Sequence, residues 1–254
     1  MNVGVCAAKF VGYELLKFIF SKQSVISFVV TSSNDDYESK IISLCKKNNV
    51  KCCRGLDINS DEFIDLNKQY SIDLVLMLWF PTIVKKPSLE SVNKGFINLH
   101  PSYLPWNRGM HPYYWTIVDN TIAGITIHFI NENIDEGQVL FQKSIDIDIT
   151  DTGGTLYEKN LIETIELFKE NYDNILNSNY DLKEIDNSSG SFHLSVDINK
   201  HSEIKLDKTY KAIDLINLIR ARTFENIGSS YFYLDDKKYN VKLYVEEDKS
   251  DNKI

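Results

Sequence analysis

Asn98, His100 and Asp135 offer an amide, an imidazole and a carboxylate that could serve one reaction centre. Asn98 and His100 sit two apart in Asn98-Leu99-His100, just after the apolar pair Phe96-Ile97. Side chains alternate along an extended chain, so both would face the same cleft. The amide can donate to a developing oxyanion, and the imidazole can move a proton near neutral pH. Asp135 lies in Asn133-Ile134-Asp135-Glu136-Gly137-Gln138, beyond a predicted strand ending near Ile130, where Gly137 permits a turn. If the two strands are neighbours, its carboxylate reaches the imidazole, orients it and favours its charged form. Each residue alone has a plainer reading: a histidine after a strand is a hydrogen-bond partner, and an Asp before Glu-Gly is a turn residue. The same holds for His111 and for His128, which is expected to be packed or exposed in an alternating strand. His193 and His201 fall in or beside a polar stretch and are expected to be solvated. The joint pattern is what singles out the first three.

The loop after His100 is stiffened by Pro101 and Pro105, and Gly109 allows a tight backbone where Arg108 projects. The elements around it alternate. Residues 3–7, 24–32 and 72–80 are apolar runs of strand length, the last stopped by Pro81; such runs suit parallel strands covered on both faces. Helical patterns separate them at 11–21, 35–49 (opening on Asp35 and Asp36) and 59–70. Residues 96–100, 124–130 and 139–147 add strands, and Thr152 can cap a helix over about 154–176. A polar stretch at 177–191 marks a composition shift, followed by an amphipathic helix near 211–221 and two strands about a turn at 235–238. The last residues, 248–254, are expected to fray. Strands alternating with helices imply an open α/β sheet, and open α/β sheets hold ligands beyond the carboxyl ends of their strands, where residues 98–112 fall.

The chain has 254 residues, 28 Lys+Arg against 36 Asp+Glu, and a net charge of -8. That balance argues against generic binding to nucleic acid or anionic membranes, but leaves room for a local basic pocket. The arginines are Arg54, Arg108, Arg220 and Arg222. No leader-like segment and no apolar run of about 18 residues is read. Cys6, Cys45, Cys52 and Cys53 form no C-x-x-C pair, so reduced thiols in a cytoplasmic protein are expected and a zinc site is not. Gly4 and Gly12 are too far apart for a dinucleotide-binding turn.

Residues 96–155 resemble the formyltransferase family that uses N10-formyltetrahydrofolate. The resemblance rests on Asn98-Leu99-His100, Ser102-Tyr103-Leu104-Pro105 through Gly109, Thr126-Ile127-His128, Asp135-Glu136-Gly137, Gln142, and Asp151-Thr152 with Thr155-Leu156. It covers roughly residues 1–176. It implies an open, doubly wound, mostly parallel Rossmann-like sheet over 1–176, a linker at 177–195 and a small C-terminal helix plus β-hairpin region at 196–254. The glycinamide ribonucleotide branch would carry a Gly-Ser-rich loop where Cys6 to Gly12 stand. A methionyl-tRNA formyltransferase would bring a larger, basic C-terminal domain. The Leu-Pro-Trp-Asn-Arg-Gly loop and the residues from Ser202 to Phe224 are similar to the sugar-nucleotide N-formyltransferase branch.

On that resemblance the substrate is a dTDP-linked amino-dideoxy sugar, first the 4-amino-4,6-dideoxyglucose type and next the 3-amino type, with cell-envelope polysaccharide (O-antigen) as destination. Asn98, His100 and Asp135 are then catalytic. The folate co-substrate enters a slot walled by Met77, Leu78, Trp79, Phe80, Asn133, Ile134 and Asp135, and no metal is implied. A guanidinium forks onto phosphate, which suggests Arg108, Arg220 and Arg222 as diphosphate anchors. Trp106, Phe224 and Tyr231 can face a base, and Tyr103 and Lys9 are further sugar-nucleotide candidates. The competing reading is that Arg220 caps its helix and Phe224 packs beneath it. The aromatic C-terminal hairpin suggests a homodimer contact. A folate- or nucleotide-binding module without turnover, or a methionyl-tRNA formyltransferase-like enzyme, are the alternatives.

Overall fold

The computed structural model describes residues 1–32, 36–225 and 228–248. Along the chain, β1 (Val3–Ala7) leads to α1 (Lys9–Ser21), β2 (Ile26–Thr31) to α2 (Glu38–Lys47), β3 (Lys51–Arg54) to α3 (Asp61–Gln69), and β4 (Leu74–Leu78) to the short α4 (Lys86–Leu89). Next come β5 (Gly95–His100), the two-residue β6 (Arg108–Gly109), α5 (Pro112–Val118), β7 (Ala123–Phe129) and β8 (Val139–Ile145). Then follow α6 (Gly153–Leu176), β9 (Phe192–His193), α7 (Asp197–His201), α8 (Ala212–Ala221), β10 (Ser230–Leu234) and β11 (Lys237–Val241). Asp35 and residues 249–254, read above as a helix start and a frayed tail, lie outside the described residues.

The chain forms two compact units, Met1–His100 with Ile125–Lys143 and Glu163–Asn187, and Pro101–Gly124 with Ser144–Ile162 and Ser188–Ile254. The first is built on a seven-stranded sheet of order β3-β2-β1-β4-β5-β7-β8. β1 and β4 are buried at every position, as continuous apolar strands covered on both faces should be. β1 pairs in parallel with β2 and β4, and β4 with β5. The doubly wound, mostly parallel sheet is therefore as expected, with one difference: β7 runs antiparallel to β5. Helix α1 buries Val11, Leu15, Leu16 and Ile19 as one stripe. At Gly12 a Cβ would lie 2.6 Å from the Leu78 carbonyl oxygen, so the glycine lets this helix close on the end of β4. Phe28, Val75, Met77 and Phe96 of the sheet and Phe63 of α3 share one core cluster.

The second unit packs Tyr114, Trp115, Ile117, Leu156, Leu218 and Ala221 into a core of its own. At the start of α6, Thr155 N donates to Thr152 Oγ1 (3.2 Å) and Thr152 N to Thr155 Oγ1 (2.9 Å), a reciprocal cap. β10 and β11 pair as the expected hairpin, turning through Asp235 and Asp236 at φ +48° and +58°. His193 and His201 are not simply solvated. His193 stacks on Trp115 at 3.9 Å and 5°, and its Nε2 lies 3.3 Å from Asp119 Oδ2. His201, though exposed, holds the Tyr114 hydroxyl at 2.8 Å. The polar composition around them hid this, because what fixes these rings is the aromatic pair on α5, distant in sequence. The polar stretch itself is pinned twice: Lys183 bridges Val139 in the first unit, and β9 pairs with β6 in the second. All four cysteines are free thiols, Cys6 and Cys45 fully buried. Among the described residues, no helix is long and apolar enough to cross a membrane.

Candidate active site

The register of β5 against β7 sets the site. Asn98 lies opposite His128, and His100 opposite Thr126. Alternation then places all four side chains on one face of the sheet. β8 adds Gln142, whose amide donates to Thr126 Oγ1 at 2.9 Å. After β7 the chain turns back through Asp135, which adopts φ +55°, a left-handed conformation that Asp tolerates better than most residues.

That turn carries the carboxylate onto the two imidazoles. Asp135 Oδ2 is 3.4 Å from His100 Nδ1, and Oδ1 is 3.6 Å from His128 Nε2. The His100 and His128 side chains are 6% and 2% exposed, and Asp135 is 11% exposed. A charge contact so enclosed acts through a lower effective dielectric than it would in water. Asn98 is only half-buried, so the amide keeps an open side. Its Nδ2 lies 3.4 Å from His128 Nε2, while His128 Nδ1 is 2.8 Å from the Phe129 carbonyl oxygen. Asn98, His100 and Asp135 thus converge, as the pattern suggested. His128 is packed, one of the two outcomes expected for it, and what it packs against is Asn98 and Asp135. The signal lay in the alternation itself: His128 and Thr126 share a face, but only the strand pairing shows that it is the face of Asn98 and His100.

Gly137 holds the turn. A Cβ built there would overlap the Phe129 carbonyl oxygen, and the Phe129 amide donates to Gln138 O at 2.9 Å. Gly137→Ala should push the loop off β7 and take Asp135 with it. The expected loss is about 1–3 kcal/mol, read as a melting midpoint lowered by roughly 3–10 °C, with turnover falling in parallel. An unchanged midpoint and turnover would contradict the close approach.

Of the residues assigned to the folate slot, Met77 and Leu78 are each 1% exposed, so their side chains belong to the core and only their backbone could meet a ligand. The Leu78 carbonyl accepts from Ala8 N at 3.2 Å. Trp79 and Phe80 are half-buried, Trp79 with φ +59°, and Asn133 and Ile134 are exposed. Lys9 is exposed at the start of α1.

The remaining candidates fall in the second unit and divide in two. Arg220 is 7% exposed and donates from its guanidinium to the carbonyls of Asp148 (3.1 Å) and Asp151 (2.7 Å). Burial lowers its pKa, and the nearby Asp151 and Asp148 partly restore it. Burial raises the Asp151 carboxyl, but Lys159, at 2.7 Å, and the other bonds it accepts outweigh this and hold it below the usual range. Arg108 is 8% exposed, with Nε 3.5 Å from Ser191 O. Phe224 is buried edge-on against Tyr113 at 5.4 Å. Tyr103 and Trp106 are half-buried. Arg222 and Tyr231, in contrast, line a cavity of about 530 Å³ with Lys238 and Lys242, where Lys238 Nζ stands 3.7 Å over the Tyr231 ring. Among the described residues, no group of three or more His, Cys, Asp or Glu could hold a metal ion.

A dTDP-4-amino-4,6-dideoxyglucose formyltransferase from Mycobacterium bovis is 27% identical over 60% of this chain and 65% of its own length. The chain spans less than two thirds of the length of this and other curated relatives it matches. Among solved structures, a sugar N-formyltransferase from a Shewanella species superimposes with a TM-score of 0.81 at 22% identity, covering 97% of this chain and 98% of that one. An N-formyltransferase from Helicobacter canadensis, solved in complex with folinic acid and dTDP-3-aminofucose, has a TM-score of 0.72 at 24% identity, covering 93% and 85%. These two likenesses show the fold. Residues 197–247 match the N-formyltransferase dimerization C-terminal domain. Residues 22–170, which hold all of the converging side chains, match the formyl transferase family, and the chain belongs to that family.

Proposed function

We propose that the chain transfers the formyl group of N10-formyltetrahydrofolate to the amine of a dTDP-linked amino-dideoxy sugar. The 4-amino-4,6-dideoxyglucose type comes first and the 3-amino type second. The observation that carries the reading is the meeting of Asn98, His100 and Asp135 at the rim of the sheet. The folate supplies an activated formyl carbon. As the neutral sugar amine adds to it, Asn98 Nδ2 and His100 donate to the oxygen that gains charge. Asp135 holds His100 and favours its charged form. His100 gives its proton to folate N10 and recovers one, through a water beside Asp135, from the amine, so that formamide and tetrahydrofolate leave neutral.

The half-buried rings of Trp79 and Phe80 suit a flat heterocycle, and the 131–136 loop, exposed over 131–134, offers backbone groups to its edge, so the residues present fit a pterin. For the sugar nucleotide, Arg222 and Tyr231 are the favoured contacts, since they line an open cationic cavity. Arg108, Arg220 and Phe224 are enclosed and shape the unit around them. We assign catalysis to 1–176, connection to 177–195 and a small α+β region to 196–254. The C-terminal match is to a dimerization domain, and Tyr233, Tyr239 and Tyr244 are 51%, 42% and 68% exposed, which supports a homodimer. A cytoplasmic enzyme feeding cell-envelope polysaccharide, including O-antigen, completes the reading. Incubation with N10-formyltetrahydrofolate and a panel of nucleotide amino sugars tests it: mass spectrometry should find one added formyl group on a dTDP-linked acceptor. Formylation of methionyl-tRNA alone, or of nothing, would overturn it.

A further inference from the structure

We infer that His128 is a positioning residue: in its neutral form, the Nε2 lone pair selects the orientation of the Asn98 amide. The inference rests on the formyl-transfer reading of the site and goes beyond it. The Phe129 carbonyl oxygen, 2.8 Å from His128 Nδ1, can only accept, so Nδ1 carries the ring's proton. In the neutral ring Nε2 is then an acceptor, and it faces the Asn98 amide at 3.4 Å. An acceptor at that point discriminates between the two ways the amide can lie. With Nδ2 inward, one N–H meets Nε2 and the other is left for the oxygen that gains charge during formyl transfer. With the amide flipped, Oδ1 would face a lone pair, and the donor would be turned away from the reacting carbon.

The same assignment divides the site's charge. Asp135 Oδ2 is 3.4 Å from His100 Nδ1, while Oδ1 is 3.6 Å from His128 Nε2, beyond hydrogen-bond length. A second imidazolium at 128 would compete with His100 for this carboxylate. Whenever the His128 ring is neutral, the carboxylate is left to His100. The strand register makes the arrangement durable, since Asn98 and His128 are direct partners across β5 and β7, and the His128 side chain is 2% exposed.

Two measurements test this. Nitrogen-15 NMR of the imidazoles, with His128 assigned by its loss in His128→Gln, reads the tautomer without any substrate. A protonated Nδ1 and bare Nε2 at pH 8 are expected, and a protonated Nε2 would overturn the inference. The second is a kinetic cycle with the acceptor found by the panel. His128→Leu should lower kcat about 100-fold, as a misplaced donor does, with KM values nearly unchanged. His128→Gln, which keeps an acceptor near the Nε2 position, should recover most of the loss. In an Asn98→Ala background, His128→Leu should cost less than about threefold, because the group it positions is gone. Equal losses in both backgrounds would overturn the inference while leaving the site intact. An Asn98→Ala enzyme with full turnover would overturn the reading of the site and this inference together.

Discussion

His100→Asn is expected to slow formyl transfer by about 100- to 10,000-fold, the range for losing a positioned proton carrier. Asparagine keeps a donor near the reacting oxygen but cannot carry a proton between the amine and folate N10. The contact it breaks, 3.4 Å to Asp135, matters most when charge develops, so kcat should fall while KM barely moves. Folding should be spared, because the asparagine amide can donate to Asp135 in place of the imidazole and sits among the polar side chains of Asn98, Thr126 and His128. Tetrahydrofolate release at saturating substrates gives the rate, and the melting midpoint serves as the folding control. Turnover within about threefold of wild type would remove His100 from the chemistry.

What the sequence showed of this site follows from which interactions are local. The faces of Asn98 and His100 are a matter of alternation within five residues, so they could be read directly. So could the α1 stripe, the Thr152 cap and the buried runs of β1 and β4. His128 could not, because its role is set by register with a strand about thirty residues away and running antiparallel. β3 was missed for a different reason: Lys51–Arg54 is a four-residue edge strand, exposed at both ends, and carries almost no periodic signal. Helix α5 begins at Pro112 after His111 at φ +60°, and in sequence that proline looks like loop punctuation. The arginines show the limit most clearly. Their chemistry made Arg108, Arg220 and Arg222 all look like phosphate anchors. Burial separates Arg220 and Arg108, turned to main-chain carbonyls, from Arg222 at a cavity wall, and burial is a property of the packed unit.

Asp135→Asn is the sharper test of electrostatics, because it removes the charge and little else. Asp135 sits at φ +55°, where an alanine would be strained but asparagine is at ease. The turn, held by Gly137 beneath Phe129, should therefore survive the change. At His100, however, the acceptor facing Nδ1 becomes an amide that can present a donor instead. The ring is then free to move its proton to Nε2, and no carboxylate remains to favour the imidazolium. In a directly bonded triad the same substitution costs about 10,000-fold. Here the carboxylate stands at 3.4 Å, at the long end of the hydrogen-bond range, and the expected loss is about 1,000-fold in the single-turnover rate with an unchanged melting midpoint. Asp135→Glu should recover little, since the longer side chain cannot keep both contacts from a left-handed turn residue. A single-turnover rate for Asp135→Asn close to that of the wild type would mean that His100 works without its carboxylate and that Asp135 merely shapes the loop.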